Sequence, residues 1–141
     1  MIMTFHETIM NRCLEIANNA FGQTTPNPMV GCVLVFENKI IGEGYHQQAG
    51  EAHAEINAIN SVENKNLIPL STLYVSLEPC SHYGKTPPCC ERIVQEGIKK
   101  VVVGTIDTYA DVNGKGISFL QQNNVEVVAP CVGKRWHSTN C

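Results

Sequence analysis

One short apolar run constrains the fold more than any other feature of this sequence. Residues 100–105 read KVVVGT, with no polar side chain between positions 101 and 104. Such a run is consistent with a strand buried on both faces of a sheet, as in parallel sheets that helices cover on each side. A chain that contains this strand therefore needs helices both above and below its sheet.

The remaining elements agree with that requirement. Apolar spacing predicts helices over about 4–21, 53–62, 88–96 and 116–122, and strands over 29–36, 39–45, 72–77 and 125–128. The predicted buried stripe of the first helix consists of Phe5, Ile9, Cys13 or Leu14, Ala17 and Phe21. The turn Glu37-Asn38 predicts a hairpin. A hairpin followed by alternating helices and strands implies an α/β fold with a mixed sheet of about five strands.

Length, charge and cysteine usage limit the class of protein. A chain of 141 residues predicts one domain, which we assign to 1–128, and leaves 129–141 as an unassigned tail. A net charge of −3 and the lack of any run of roughly 20 apolar residues favour neither a nucleic-acid nor a membrane partner. Because the N-terminus does not resemble a secretory signal, we expect a cytoplasmic protein. Seven cysteines in a reducing compartment indicate metal binding or catalysis rather than disulfides.

Four residues carry the predicted chemistry: His53, Glu55, Cys80 and Cys89. One imidazole and two thiolates form a zinc set whose fourth position stays free for water, and zinc lowers the pKa of that water to about 7. Cys89 opens a predicted helix, so the helix dipole is expected to favour its thiolate. Glu55 is placed to move protons from the water to a ring nitrogen and a leaving amine. His-x-Glu followed by Pro-Cys and a second cysteine is typical of zinc deaminases.

Structural alternatives exist for each of these residues. His-x-Glu occurs by chance in many proteins, and Cys80 and Cys89 could be buried apolar side chains. Cys90 could complete a four-ligand structural zinc site. Because it is adjacent to Cys89, its side chain is expected to point in another direction, so we interpret it as a core or surface thiol. The order of the residues, at predicted strand-to-helix junctions, favours catalysis.

Three segments carry a family resemblance: NPMVG at 27–31, GEAHAE at 50–55 and LEPCSHYGKTPPC at 77–89. With them the chain, from about residue 7 to 128, resembles the deaminase domain of the riboflavin-biosynthesis deaminase–reductase family. Eight residues separate the two cysteines, where cytidine-type and tRNA adenosine deaminases have two. The resemblance implies a cytidine deaminase-like three-layer α/β/α sandwich.

The resemblance also implies an activity: zinc-dependent deamination of 2,5-diamino-6-ribosylamino-4(3H)-pyrimidinone 5′-phosphate. Its metal ligands fall on His53, Cys80 and Cys89, and its proton shuttle falls on Glu55. The implied substrate-binding positions are Asn27, His46, His82, Lys85 and Asp107. Among these, Asn27 could serve only a turn, His46 could be a surface residue, and the loop positions 82 and 85 could be solvated. A homo-oligomer is implied as well.

Two departures from the family stand out. Thr108-Tyr109-Ala110 replaces the usual Pro-Asn-Pro after Asp107, which bears on the ribose-phosphate contacts. No reductase domain follows, so we expect no reductase activity. The chain is either a stand-alone deaminase with a separate reductase as partner or a part of a longer deaminase–reductase. Two other functions stay open: deamination of another nucleoside or a tRNA base, and a zinc-stabilised module that binds a nucleotide or a partner without turnover. The long cysteine loop argues against tRNA, and Glu55 argues against the module.

Overall fold

The computed structural model describes residues 4–22, 29–48, 51–81, 87–105, 114–130 and 136–138. Its helices are α1 Phe5–Ala17, α2 Ala54–Ser61, α3 Cys89–Gln95 and α4 Lys115–Gln122. Its strands are β1 Gly31–Phe36, β2 Lys39–Tyr45, β3 Thr72–Val75, β4 Lys100–Val103, β5 Glu126–Pro130 and β6 Trp136–Ser138. Two short 3-10 segments, Asn18–Ala20 and Lys65–Leu70, complete these elements. None of the helices described is both long and apolar enough to cross a bilayer.

All strands belong to one mixed sheet with the order β2-β1-β3-β4-β5-β6. β1 is antiparallel to β2 and β3, whereas β3, β4 and β5 run parallel to one another. This confirms the predicted mixed sheet of five strands. A sixth strand, β6, pairs antiparallel with β5 at the sheet edge, in the tail where no sequence pattern predicted structure.

The sheet separates two hydrophobic cores, because successive strand residues face opposite sides. On one side, the strand residues Leu34, Leu73, Val101 and Val127 belong to the core cluster that also contains residues of α2, α3 and α4. On the other side, Val33, Tyr74, Val102 and Val128 belong to the cluster that contains residues of α1. Val101, Val102 and Val103 are all fully buried, which explains the uninterrupted apolar run of β4. The predicted three-layer sandwich is therefore confirmed.

The β1–β2 hairpin places β2 directly beneath α2. Glu37 and Asn38 have φ values of 51° and 64°, as a two-residue turn that matches the strand twist requires. A Cβ added to Gly44 would lie 2.3 Å from the backbone nitrogen of Ala58. Because only glycine allows this approach, β2 fixes the position of α2 and of the residues at its N-terminus.

The buried face of α1 differs from the predicted stripe. Thr4 and Glu7 form a capping box at its start. Ile9, Cys13 and Ala17 are buried as predicted, but Phe5, Leu14 and Phe21 are 44%, 56% and 77% exposed. The helix ends at Ala17 and a 3-10 turn redirects the chain, so Phe21 leaves the helical face. Cys13, not Leu14, is the residue that faces the sheet.

Candidate active site

His53 occupies the N-cap position of α2, one residue before the helix begins. Its backbone is extended (φ −73°, ψ 166°), and its side chain does not cap the helix. The imidazole is therefore free to point away from the helix start. Its ring stands edge-on to the ring of His46, with centroids 5.2 Å apart.

The N-terminus of α3 brings the two predicted cysteine ligands together. Cys89 is the first residue of α3, and its backbone N–H donates to Sγ of Cys80 over 3.2 Å. Nδ1 of His53 lies 3.3 Å from Sγ of Cys89 and 3.7 Å from Sγ of Cys80. The three potential ligand atoms all lie within 4.8 Å of one another. An imidazole nitrogen and two sulfurs so arranged form a donor set that suits zinc.

The electrostatics of the two thiols differ from the sequence expectation. A hydrogen bond with the Cys89 side chain lowers the pKa of Cys80 to about 4, with further contributions from His53 and the Cys89 N–H. The pKa of the Cys89 thiol is instead raised, because it shares a hydrogen bond with Cys80 and is buried. The prediction that the helix start favours the Cys89 thiolate was wrong, since the N–H of α3 points at Cys80. A cation between the sulfurs would stabilise both thiolates.

Glu55 lies in the first turn of α2 and is only 3% exposed. Burial raises the pKa of its carboxyl group to about 7, and a hydrogen bond with its own backbone N–H opposes this only in part. A carboxyl group with a pKa near neutrality can both accept and return a proton. Its burial beside the donor set makes it a candidate acid–base residue.

His46 is buried rather than on the surface, with 3% exposure. Its Nδ1 lies 3.2 Å from the carbonyl oxygen of Ala52, which can only accept, so Nδ1 carries the proton. Its Nε2 is buried and has no hydrogen-bond partner among the described residues. A buried ring nitrogen without a partner, beside the His53 ring, is available to form a hydrogen bond with a ligand.

The other predicted substrate contacts, Asn27, His82, Lys85 and Asp107, lie outside the described residues. The replacement Thr108-Tyr109-Ala110 also lies outside them. An open cavity of about 380 Å³ is lined by Ser81, the residue after Cys80, and by Lys115, Ser118 and Phe119 of α4. No member of the donor set lines it.

Sequence reasoning missed the role of Glu78, two residues before Cys80. Glu78 is 4% exposed, and its carboxylate accepts hydrogen bonds from backbone N–H groups at the start of α4. Cys90, interpreted as a core or surface thiol, is fully buried and lies 3.4 Å from the carbonyl oxygen of Pro79. For Glu78 the sequence did hold a signal, because Gly114, the N-cap of α4, has no side chain that could cap the helix.

Comparison with known proteins agrees with this geometry. Residues 3–105 match the family described as the cytidine and deoxycytidylate deaminase zinc-binding region. The diaminohydroxyphosphoribosylamino-pyrimidine deaminase of Buchnera aphidicola subsp. Schizaphis graminum is 44% identical over 131 residues, 93% of this chain and 88% of that protein. The riboflavin biosynthesis protein RibD of Synechocystis is 50% identical over 125 residues, which cover 89% of this chain and 33% of RibD.

A solved structure gives the same result. Acinetobacter baumannii RibD aligns with a TM-score of 0.83 at 42% identity, over 89% of this chain and 35% of that one. The chain therefore spans nearly all of a stand-alone relative but about a third of the RibD proteins. With this fold, this donor set and these relatives, the chain belongs to the zinc-binding deaminase family, in its diaminohydroxyphosphoribosylaminopyrimidine deaminase branch.

Proposed function

We propose that this chain hydrolyses the 2-amino group of 2,5-diamino-6-ribosylamino-4(3H)-pyrimidinone 5′-phosphate in riboflavin biosynthesis. The products are 5-amino-6-ribosylaminouracil 5′-phosphate and ammonia. The observation that carries the proposal is Glu55, a buried carboxyl group with a pKa of about 7 beside a His-Cys-Cys donor set. The 44% identity to a relative named for this deamination, over 93% of the chain, supports the choice of substrate.

His53, Cys80 and Cys89 are the proposed zinc ligands. Their donor atoms lie within 4.8 Å of one another, and Cys80 already has a pKa of about 4. A bound zinc ion supplies a water of lowered pKa, and therefore a nucleophile at neutral pH. Three protein ligands leave a position for that water, as catalytic zinc sites require.

Glu55 is the proposed proton shuttle. Its carboxylate takes a proton from the attacking water and passes it to the adjacent ring nitrogen as the C–O bond forms at C2. Glu55 then carries the proton of the new hydroxyl on C2 to the amino group, so that the carbonyl forms as the C–N bond breaks. The sum is one water consumed and one ammonia released, with Glu55 regenerated. A pKa near 7 suits a group that must act in both directions.

We assign substrate contacts to His46, Asn27, His82, Lys85 and Asp107. His46 presents a buried Nε2 without a partner in the described part of the chain, which suits acceptance of a hydrogen bond from a substrate N–H. Lys85 suits the 5′-phosphate, because its ammonium group acts as a mobile point charge. The other three residues provide amide, imidazole and carboxylate groups for the polar ring and ribose.

The same proposal includes the setting of the reaction. Residues 1–128 form the deaminase unit, which acts in the cytoplasm as a homo-oligomer. A separate reductase then uses the product. This chain matches only 33% of the Synechocystis RibD, so that larger relative has a long further segment that could carry a second activity.

Ammonia release from a matched set of substrates tests the proposal. The zinc-loaded chain is given the diaminopyrimidine ribotide, its dephosphorylated form, deoxycytidylate and an unmodified tRNA. We expect rapid release from the ribotide, at least about tenfold slower release after dephosphorylation, since a charge-assisted contact is lost, and none from the other two. Release from deoxycytidylate or tRNA alone would identify a different deaminase. Zinc binding without any release would favour a binding module.

A further inference from the structure

We infer that Glu78 is a positioning residue for the metal ligand Cys80. Glu78 precedes Cys80 by two residues, and its carboxylate reaches the start of α4. Oε1 accepts from the N–H of Gly114 over 3.0 Å, and Oε2 accepts from the N–H groups of Gly116 and Ile117 over 2.8 and 3.3 Å. The inference rests on the proposed zinc site, and it concerns a residue that neither binds the metal nor moves a proton.

Helix α4 needs this carboxylate because it has no cap of its own. The first N–H groups of a helix lack partners within the helix, and a side-chain acceptor at the N-cap usually satisfies some of them. Here the N-cap is Gly114, with φ 76° and no side chain. The acceptor therefore comes from a residue 36 to 39 positions away in sequence. The negative charge of the carboxylate also suits the positive end of the helix dipole.

The same three residues, 78–80, are held from their other sides as well. The backbone N–H of Glu78 donates to the carbonyl oxygen of Thr105 over 2.8 Å. The carbonyl oxygen of Cys80 accepts from the N–H of Cys90 over 3.2 Å, in the first turn of α3. A Cβ added to Gly116 would lie 2.1 Å from the carbonyl oxygen of Pro79, so α4 approaches this segment as closely as a glycine allows.

These contacts fix where the Cys80 sulfur lies before a metal arrives. No regular secondary structure holds the segment 78–80, since β3 ends at Val75 and Cys80 belongs to no helix or strand. Removing the Glu78 carboxylate would break its hydrogen bonds to the start of α4 while leaving all three ligands in the chain. Mutation of a residue that orients a metal ligand from outside the coordination sphere typically lowers metal affinity by about 10–100-fold.

The test uses Glu78→Gln, which keeps the size of the side chain but replaces one acceptor oxygen with an amide donor. Zinc affinity is measured by competition with a chromophoric chelator, and ligand geometry by the visible spectrum of the Co²⁺-loaded protein. We expect at least about tenfold weaker zinc binding and shifted cobalt bands. The matched control is Glu7→Gln, because Glu7 accepts at the start of α1 on the opposite face of the sheet. Its affinity and spectrum should equal those of the wild type.

A second control separates positioning from a general loss of stability. Ile9→Ala removes a buried side chain on the α1 side, and it should lower the melting temperature without moving the cobalt bands. Glu78→Gln with lowered stability but wild-type zinc affinity and an unchanged cobalt spectrum would overturn the inference alone. A wild-type chain that binds neither zinc nor cobalt would overturn the zinc site on which the inference rests.

Discussion

The two faces of the sheet use the same kind of residue for opposite purposes. On the α1 face, Cys13 is fully buried, and burial raises the pKa of its thiol to about 12. On the face covered by α2, α3 and α4, the pKa of Cys80 is lowered to about 4, mainly by its hydrogen bond with Cys89. Burial alone gives an inert thiol, whereas hydrogen bonds with a second thiol and an imidazole favour a thiolate, the form that can bind a metal.

The difference lies in how many helix starts meet on each face. The α1 face has one helix, whose start is capped by its own Thr4 and Glu7. On the other face, His53 precedes α2, Cys89 begins α3 and Glu78 reaches the start of α4. Chemistry is therefore concentrated where helix N-termini converge, because unpaired N–H groups and thiolates stabilise one another there.

Replacement of one cysteine on each face by alanine should give the largest difference between the two faces. Cys89→Ala removes a proposed ligand, so zinc content and deaminase activity should fall to background. The bound zinc would no longer stabilise the fold, a loss of about 4 kcal/mol when free zinc is a thousandfold above its Kd. Cys13→Ala should cost only about 1 kcal/mol and leave zinc content unchanged. Metal analysis and thermal unfolding measure both; zinc retained in Cys89→Ala would refute the ligand assignment.

Substitution of two glycines tests the comparison further, because Gly31 packs against α1 and Gly44 packs against α2. A Cβ at Gly31 would lie 1.9 Å from the carbonyl oxygen of Cys13, and one at Gly44 would lie 2.3 Å from the nitrogen of Ala58. Gly31→Ala and Gly44→Ala should therefore each destabilise the fold by roughly 1–3 kcal/mol. Only Gly44→Ala moves the helix that follows His53 and carries Glu55, so only it should weaken zinc binding. Equal zinc affinities in the two folded variants would contradict this.

The smallest expected effect concerns the ion pair that joins α1 to the edge strand β2. Arg12 of α1 contacts Glu43 of β2 and lowers the pKa of its carboxyl group. A group with a lowered folded pKa stabilises the fold above its unfolded pKa, near 4.5, and this contribution disappears as the pH falls through the folded value. Glu43→Gln should lower the melting temperature at pH 7 by no more than about 3 °C, and should have no effect near pH 2. Zinc affinity at pH 7 should stay unchanged.

Local patterns in the sequence were sufficient to predict the layers and the donor set. The apolar run of β4 and the Glu37-Asn38 turn reflect burial and backbone conformation, which neighbouring residues largely determine. The order His53, Glu55 and Cys80 follows the His-x-Glu and Pro-Cys signature typical of zinc deaminases, so it indicated the donor set without the structure. These features needed no knowledge of distant contacts.

The failures share a physical cause, since each depends on contacts between distant segments. Glu78 caps a helix that begins 37 residues later, which no local period reveals. The lowered pKa of Cys80 depends mainly on a hydrogen bond with the side chain of Cys89, which α3 brings to it. Strand β6 forms by pairing with β5 rather than by an alternating pattern of its own. Phe21 was misplaced because α1 ends at Ala17, so the helical spacing does not extend to residue 21.

The central claim is that Glu55 moves the protons of a zinc-dependent deamination. The most direct measurement compares ammonia release from the diaminopyrimidine ribotide by the wild-type chain and Glu55→Gln, each with its zinc content determined. We predict equal zinc content and a kcat lower by about 10²–10⁴-fold in the variant. Comparable kcat values at equal zinc content would contradict the role of Glu55, and no release by the zinc-loaded wild-type chain would contradict the proposed reaction.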